Sequence, residues 1–231
     1  MLLLLAGCEG PASVLDPAGP AAAAVARLWW VMLWASLALF GLVAVLLAVA
    51  VWRRTPASES TRLWLVGGGL VLPGVILPLL LGYAIVVGEQ LLARGDGAIP
   101  VQVVARQWQW TFYYGAADEA RASDGVLHMP AGRPVDLQVS SVDVIHSFWI
   151  PRLGGKIDAI PGRTNVLRLV GSEPGRFLGL CAEFCGTGHT GMSVAVQVHE
   201  ADDYRRAIEG LRRATPDEVD RRRGRPTDGS R

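Results

Sequence analysis

The sequence predicts a two-helix transmembrane hairpin followed by an all-β Greek-key sandwich or barrel, with a short helix and a disordered tail at the C-terminus. Two long uncharged runs in the first 90 residues predict the hairpin. After Ile99, short alternating segments separated by Pro/Gly turns predict the β domain. Composition agrees, since 51% of the 231 residues are hydrophobic, which allows membrane segments plus one ordinary domain.

Residues 1–27 are predicted to hold a signal, a lipid-attachment motif and a flexible lead-in. Leu5-Ala-Gly-Cys8 follows a run of leucines and is similar to the lipobox of bacterial lipoproteins, which predicts a lipid on Cys8. A free cysteine near a frayed terminus is the alternative, because the leucine run is short and no basic residue precedes it. Residues 9–27 are rich in Pro, Ala and Gly and predict a flexible segment.

Two membrane spans are predicted within residues 28–92, at 28–52 and 63–88. The first runs 25 residues without a charge, and at about 1.5 Å per residue this length crosses a hydrocarbon core of about 30 Å. The second is also uncharged but contains Gly67-Gly-Gly69, Pro73 and Pro78. Such residues are tolerated in lipid where a neighbouring helix packs closely, which indicates an integral membrane partner.

The basic residues between the spans predict the orientation of the chain. Arg53, Arg54 and Arg62 bracket the connection, so the positive-inside rule places it in the cytoplasm and both termini on the outer side. An external N-terminus is also what a lipid on Cys8 requires. The predicted location is therefore the bacterial inner membrane, with the β domain on the periplasmic side.

Residues 97–200 are predicted to form the β domain. Its strands alternate apolar and polar residues, as in Trp108, Trp110, Phe112 and Tyr114 or in Val135, Leu137 and Val139. Residues 201–231 are predicted to be a short helix, Asp202 to Arg213, followed by a charged and disordered tail. The formal net charge of +1 gives no reason to expect nucleic acid as a partner.

The segment Cys181-Ala-Glu-Phe-Cys185-Gly-Thr-Gly-His189-Thr-Gly-Met192, named here the thiol loop, carries the strongest chemical signal. Thiolate, thioether and imidazole ligands together favour copper over hard cations. A second imidazole, His146, lies upstream at the end of a buried strand. The sequence therefore predicts a metal site assembled from two distant segments.

The number of thiols leaves several interpretations open. One thiolate, two imidazoles and an axial Met make a mononuclear blue-copper site, whereas two inward-facing thiolates four residues apart can bridge two copper ions. The cysteine pair could also form a disulfide between Cys181 and Cys185 or bind zinc together with a histidine. A disulfide would leave His189, Met192 and the glycine spacing without a reason.

At these residues the chain resembles subunit II of cytochrome c oxidases, in a bacterial lipoprotein-like form. The thiol loop is similar to that family's binuclear copper A loop, and Lys156-Ile-Asp-Ala-Ile-Pro-Gly-Arg163 and Gln107-Trp-Gln-Trp110 are similar to its other signatures. The resemblance extends from about residue 28 to about residue 200 and implies that the β domain is of cupredoxin type.

The resemblance also implies a ligand set. The two thiolates bridge the ions, weak axial ligands tune the potential, and the loop glycines let the backbone bend around the cluster. By this resemblance Cys181 and Cys185 bridge, His146 and Met192 complete one ion, and His189 and the backbone carbonyl of Glu183 complete the other. The Glu183 side chain is expected to reach a magnesium or manganese ion at the partner boundary, the alternative being an ion pair with an arginine.

Trp108 is the residue at which the resemblance implies that electrons are accepted, because the first Trp of this motif lies exposed above the copper. Trp110 and Phe112 are expected to be core anchors. Four acids, interrupted by Arg121, are expected to form a weak rim that steers a basic cytochrome. These acids are Asp118, Glu119, Asp124 and Asp143.

The implied function is that of the electron-accepting subunit of a haem–copper terminal oxidase. It takes electrons from cytochrome c and passes them to haem in subunit I, where oxygen is reduced to water and protons are translocated; subunit III is a further expected partner. His128, His199 and Met129 are expected to lie outside the site. Glu59 or Thr61 occupies the place of a family glutamate near a proton pathway, which leaves that role open.

The sequence leaves two rival functions and disfavours a third. A copper A subunit of a nitric oxide reductase would use the same loop, although residues 156–163 favour the oxidase. A stand-alone membrane-anchored copper carrier would not need the second span. A quinol oxidase subunit shares the fold, but that branch lacks these copper ligands.

Overall fold

The computed structural model describes residues 10–53, 61–92, 95–116, 119–215 and 218. Its chain divides into two compact units, one made of Met1–Ala23 with Leu92–Arg231 and the other of Ala24–Leu91. Cys8, Glu59 and Asp118 lie outside the described residues, as does most of the predicted disordered tail.

The second unit is helical and apolar. Helix α1 spans Pro20–Arg53, a π-helical stretch spans Leu63–Val71, and α2 continues from it over Leu72–Gln90. The most apolar windows of the two helical runs are 0% and 6% buried, so these are not core helices of a soluble domain. Their length and hydropathy suit membrane crossing.

Helix α1 begins eight residues before the predicted span. Pro20 occupies the first turn, where its missing N–H costs no hydrogen bond, and four alanines follow it. The second span matches its prediction within about two residues, and its Gly67-Gly-Gly69 run falls in the π-helical stretch.

The first unit is a two-sheet β sandwich, as predicted. The strands are β1 Ile99–Arg106, β2 Gln109–Tyr114, β3 Arg121–Asp124, β4 Val126–Pro130, β5 Val135–Ser141, β6 His146–Trp149, β7 Ile157–Ala159, β8 Asn165–Leu169, β9 Gly175–Cys181, β10 Ser193–His199 and β11 Arg212–Arg213. One sheet has the strand order β11-β3-β2-β1-β5-β8 and the other β4-β10-β9-β6-β7.

The core lies between the two sheets, because alternate residues of each strand face inward. Strand β1 buries Val101, Val103 and Ala105, and it pairs antiparallel with β2 and parallel with β5. Trp110 and Phe112 are fully buried, which confirms them as core anchors. Trp108 lies in the β1–β2 turn, outside the strand pattern in which the sequence placed it.

Residues 16–22, named here the strap, pack against the β sandwich. The Ala18 N–H donates to the Arg152 carbonyl at 2.7 Å, and the Ala22 N–H donates to the Leu153 carbonyl at 3.3 Å. Asp16 forms an ion pair with Arg152 at 2.7 Å. A Cβ on Gly19 would lie 2.4 Å from the Val170 carbonyl oxygen, so only glycine allows this approach. The predicted flexible lead-in is therefore wrong over this stretch.

The C-terminal helix is shorter than predicted. Helix α3 spans Ala201–Glu209, ends at Gly210, and is followed by β11, which pairs with β3. Arg212 bonds to Asp124 and Glu218, and these contacts hold residues 212–213 against the sheet instead of in the helix.

Candidate metal centre

Strand pairing brings the two halves of the site together. His146 begins β6 and Cys181 ends β9, and these strands pair with Phe148 opposite Cys181. The thiol loop then returns into β10, and the Cys181 N–H donates to the Met192 carbonyl at 3.0 Å to close it. His146, 35 residues upstream of Cys181, is thereby placed beside the loop.

The two thiols are close but unbonded. Their sulfurs are 3.8 Å apart, whereas a disulfide bond is about 2.05 Å long, and both cysteines are free and buried. His146 Nδ1 lies 3.9 Å from the Cys181 sulfur, and the ligand atoms of these three residues lie within 4.8 Å of one another. This geometry favours a metal site over the disulfide.

The remaining predicted donors lie around the same sulfurs. The Cys185 sulfur is 3.7 Å from His189 Nδ1 and 3.8 Å from the Met192 sulfur. The Cys181 thiol donates to the Glu183 carbonyl at 3.2 Å. All six donors predicted from the sequence are therefore brought together, while Glu183 itself is exposed.

The spacing of the donor atoms fits the binding of soft metal ions. Two atoms bound to one ion at about 2.0–2.3 Å each are separated by roughly 3.3–4 Å, and the sulfur–nitrogen and sulfur–sulfur distances of 3.7–3.9 Å lie in that range. Each sulfur also has one imidazole and one weaker donor beside it. The Cys181 sulfur faces His146 and the Glu183 carbonyl. The Cys185 sulfur faces His189 and the Met192 thioether.

Burial affects the protonation of Cys185. It raises the pKa of this thiol to about 11, and the neighbouring Cys181 contributes to the rise. The Cys185 thiol therefore favours its protonated form until a cation supplies compensating charge.

Trp108 lies directly on the thiol loop. A Cβ on Gly188 would be 2.4 Å from the indole ring, so glycine is required there. The indole Nε1–H donates to the Cys185 carbonyl at 3.2 Å, and the side chain is 42% exposed. The structure thus places the predicted electron-accepting residue between solvent and the dithiol pair.

Asp143, predicted as a docking acid, instead contacts a donor of the site. Its Oδ1 accepts from His146 Nε2 at 2.9 Å, and Nδ1 of the same ring faces the Cys181 sulfur. Partial burial opposes ionisation, but hydrogen bonds from Gln107 N–H, His146 and Val144 N–H outweigh it and hold the pKa of Asp143 below its ordinary value. The Asp-x-x-His spacing is the sequence signal that could have indicated this contact.

Asp143→Asn is expected to lower copper affinity about 10–100-fold, because an amide has no negative charge and only one oxygen, so it cannot accept from both the His146 ring and the Gln107 N–H. Copper retention against a graded chelator measures this. Asp124→Asn is the matched control, since Asp124 pairs with Thr111 and Arg212. Equal affinities in the two variants would contradict the positioning role of Asp143.

Of the other predicted docking acids, Asp124 and Glu119 lie within the described residues. Asp124 is engaged by Arg212, and Glu119 is exposed in the β2–β3 connection. The exposed residues that flank Asp143 are instead apolar, and they are named here the apolar collar. The collar consists of Val142, Val144 and Ile145.

His128 and His199 lie outside the site, as expected, and contact each other. His128 Nδ1 and His199 Nε2 are 2.9 Å apart and the rings stack with centroids 5.2 Å apart. Burial lowers the pKa of His128, and His199 lowers it further; burial also lowers the pKa of His199, against the opposing effect of Asp203. Met129 is fully buried in the core.

The histidine pair predicts a loss of stability in mild acid. The unfolded chain takes up these protons near pH 6.5, before the folded protein does, so stability falls as pH drops from about 6.5 toward the lowered folded-state pKa. The double variant His128→Gln, His199→Gln is expected to remove a few degrees of the acid-induced decrease in melting temperature. Near-ultraviolet circular dichroism, followed against temperature at several pH values, measures the melting temperature. Identical pH profiles of the wild type and the double variant would refute the prediction.

Comparisons with known proteins agree with this architecture. The family "Cytochrome C oxidase subunit II, periplasmic domain" matches residues 116–199. Cytochrome c oxidase subunit 2 of Alkalihalophilus pseudofirmus is 32% identical over 91% of this chain and 66% of its own length. Quinol oxidase subunit 2 of Bacillus cereus is 27% identical over 94% of this chain and 78% of its own.

Among solved structures, the periplasmic domain of cytochrome oxidase subunit II of Bradyrhizobium japonicum is 28% identical, with a TM-score of 0.48, over 51% of this chain and 95% of that one. The chain spans about two thirds of the length of the Alkalihalophilus relative. Fold and site together define a membrane-anchored, cupredoxin-like domain with a sulfur and imidazole donor set. The chain belongs to the family of cytochrome c oxidase subunit II.

Proposed function

We propose that this chain is the electron-accepting subunit of a haem–copper cytochrome c oxidase and that it holds a binuclear copper A centre. The observation that carries the proposal is the convergence of four further donors on two free sulfurs 3.8 Å apart. When bound, the two copper ions would share one unpaired electron and supply a one-electron redox couple.

Each side chain has a definite task in this proposal. The two sulfurs would hold both ions, since each sulfur lies near one donor of either terminal pair. His146 with Met192 would complete one ion and His189 with the Glu183 carbonyl the other. Met192 is 2% exposed and His146 0%, so this side of the site excludes water and changes little in geometry during electron transfer.

Trp108 would accept electrons from the donor. Its indole is exposed on one side and bonds to the Cys185 carbonyl on the other, which gives a short connection from the surface to a bridging ligand. The donor would be a cytochrome c. Because the apolar collar is exposed while Asp124 and Asp143 have partners of their own, we propose that docking depends on apolar contact more than on the acidic rim.

The subunit that would take electrons from the metal centre is proposed to contact the surface around His189. The exposed Phe184 ring stands edge-on to His189 with centroids 5.8 Å apart. We propose that this surface and the Glu183 side chain face subunit I, with a magnesium or manganese ion at the boundary. Haem, oxygen reduction and proton translocation would belong to that partner, with subunit III as a further member. The complex would lie in the bacterial inner membrane with the copper domain and both termini on the periplasmic side, and Cys8 would carry lipid.

The quinol oxidase relative supports a second candidate function. A quinol-oxidising complex does not need a dithiol, two imidazoles and a thioether around one point of subunit II. The donor set therefore favours cytochrome c as the electron source. It does not separate an oxidase from a nitric oxide reductase, which differ in their partner subunit.

Copper quantification and electron paramagnetic resonance on the full chain, purified in detergent and reconstituted with copper, test the proposal. Two coppers per chain and a hyperfine pattern of one electron shared between both are expected. One copper with a mononuclear blue signal, or no copper with Cys181 and Cys185 joined to each other, would overturn it.

A further inference from the structure

Gln107 contacts the thiol loop through its side chain. The amide Nε2 donates to the Cys185 carbonyl at 2.7 Å, and the Trp108 indole donates to the same oxygen at 3.2 Å. A carbonyl oxygen has two lone pairs, so these two donors satisfy it fully. A Cβ on Gly186 would lie 3.1 Å from Nε2, which means that the loop backbone passes close to this amide.

The backbone of the same residue contacts the other half of the site. The Gln107 N–H donates to Asp143 Oδ2 at 2.7 Å, and Asp143 Oδ1 holds His146 Nε2 at 2.9 Å. Gln107 therefore bonds to the Cys185 segment and, through Asp143, to the His146 segment, which lie 39 positions apart in the sequence. The exposed Trp108 is its immediate neighbour.

We propose that Gln107 is a positioning residue that joins Trp108, the thiol loop and the His146–Asp143 pair into one rigid unit. The inference rests on the proposed function, because it concerns the relative position of the indole that would accept electrons and the cysteine that would bind metal. Without the Nε2 donor, the Cys185 carbonyl is held by the indole alone, and both the loop and the indole gain freedom. The backbone N–H remains in every variant, so the His146 contact survives and the effect falls on the Trp108–Cys185 connection.

Two substitutions at Gln107 separate hydrogen bonding from shape. Gln107→Glu keeps the size of the side chain but places a carboxylate oxygen against the Cys185 carbonyl, and Gln107→Leu removes the polar group. Gln109→Glu is the matched control, because it adds the same charge at an exposed residue two positions along the chain.

The first measurement uses the metal-free full chain in detergent. Hydrogen exchange, followed by mass spectrometry, is expected to be about tenfold faster across residues 182–191 in both Gln107 variants and unchanged in Gln109→Glu, as loss of one hydrogen bond predicts. The second uses the copper-loaded chain: copper number is expected to stay at that of the wild type, while electron uptake from a photoreduced donor slows about tenfold or more.

The outcomes separate this inference from the proposed function. If the wild type fails to bind two coppers, the proposed function fails, and hydrogen exchange alone decides whether Gln107 holds the loop. Unchanged exchange in both Gln107 variants overturns the inference. Faster exchange with two coppers and an unchanged rate of electron uptake also overturns it, because Gln107 would then be structural only.

Discussion

Cys185→Ser is expected to abolish the shared-electron copper signal and to leave at most one copper bound per chain. The Cys185 sulfur has three neighbours among the donors, at 3.8 Å from the Cys181 sulfur, 3.7 Å from His189 and 3.8 Å from Met192. A serine hydroxyl is a hard and weakly acidic ligand that cannot bridge two soft ions. The loss of affinity should exceed the roughly 10–100-fold that follows removal of an outer partner.

Electron paramagnetic resonance with copper quantification measures this loss. Cys8→Ser makes the same chemical change in the remaining cysteine of the sequence, and it is expected to leave the copper signal intact. A two-copper spectrum retained in Cys185→Ser would exclude the bridging role. A matching loss in both variants would indicate a general effect on assembly.

Trp108→Phe is expected to slow electron uptake from a reduced donor about a hundredfold while leaving two coppers in place. The substitution keeps an aromatic ring on Gly188 but removes the indole N–H that bonds to the Cys185 carbonyl at 3.2 Å. Flash photoreduction of the donor, followed by the copper absorption band, measures the rate. Trp149→Phe is the control, because that indole donates to the Gly154 carbonyl instead.

The dependence of electron uptake on ionic strength tests which part of the surface docks the electron donor. If docking depends on the apolar collar, the wild-type rate of electron uptake should change less than about tenfold between low and physiological salt, because steering by charge is strongly screened over that range. A steep decrease of the rate with salt would indicate that the acidic rim guides docking.

A wild-type rate of electron uptake in Trp108→Phe would show that electrons enter at another residue.

The cluster of donor atoms was predictable because five of the six lie within twelve consecutive residues. The sixth, His146, was predicted at the end of a buried strand, whereas it begins β6 after exposed residues. The apolar helices were predictable from hydropathy alone. The contact of Asp143 with His146 was not, because exposure and partners cannot be read from a charge in a sequence. Asp124 is likewise engaged by Arg212, 88 residues away, a distance that no local pattern covers.

Gln107 and the strap were missed for a related reason. The Gln107 side chain bonds to a carbonyl 78 residues along the chain, and backbone acceptors leave no trace in residue identity. Composition predicted flexibility for the strap because Pro, Ala and Gly are small. Those same small residues allow the close approach of Gly19 to Val170.

The strap makes the β sandwich discontinuous in sequence, with two long helices between its pieces. Residues 16–22 leave the ribosome before residues 152–172, to which they bond. The strap can therefore dock fully only after the two helical runs and strands β1–β8 have been synthesised. A soluble version of the sandwich accordingly needs both pieces, and joining residues 10–23 to the far end of the chain is a direct way to supply them.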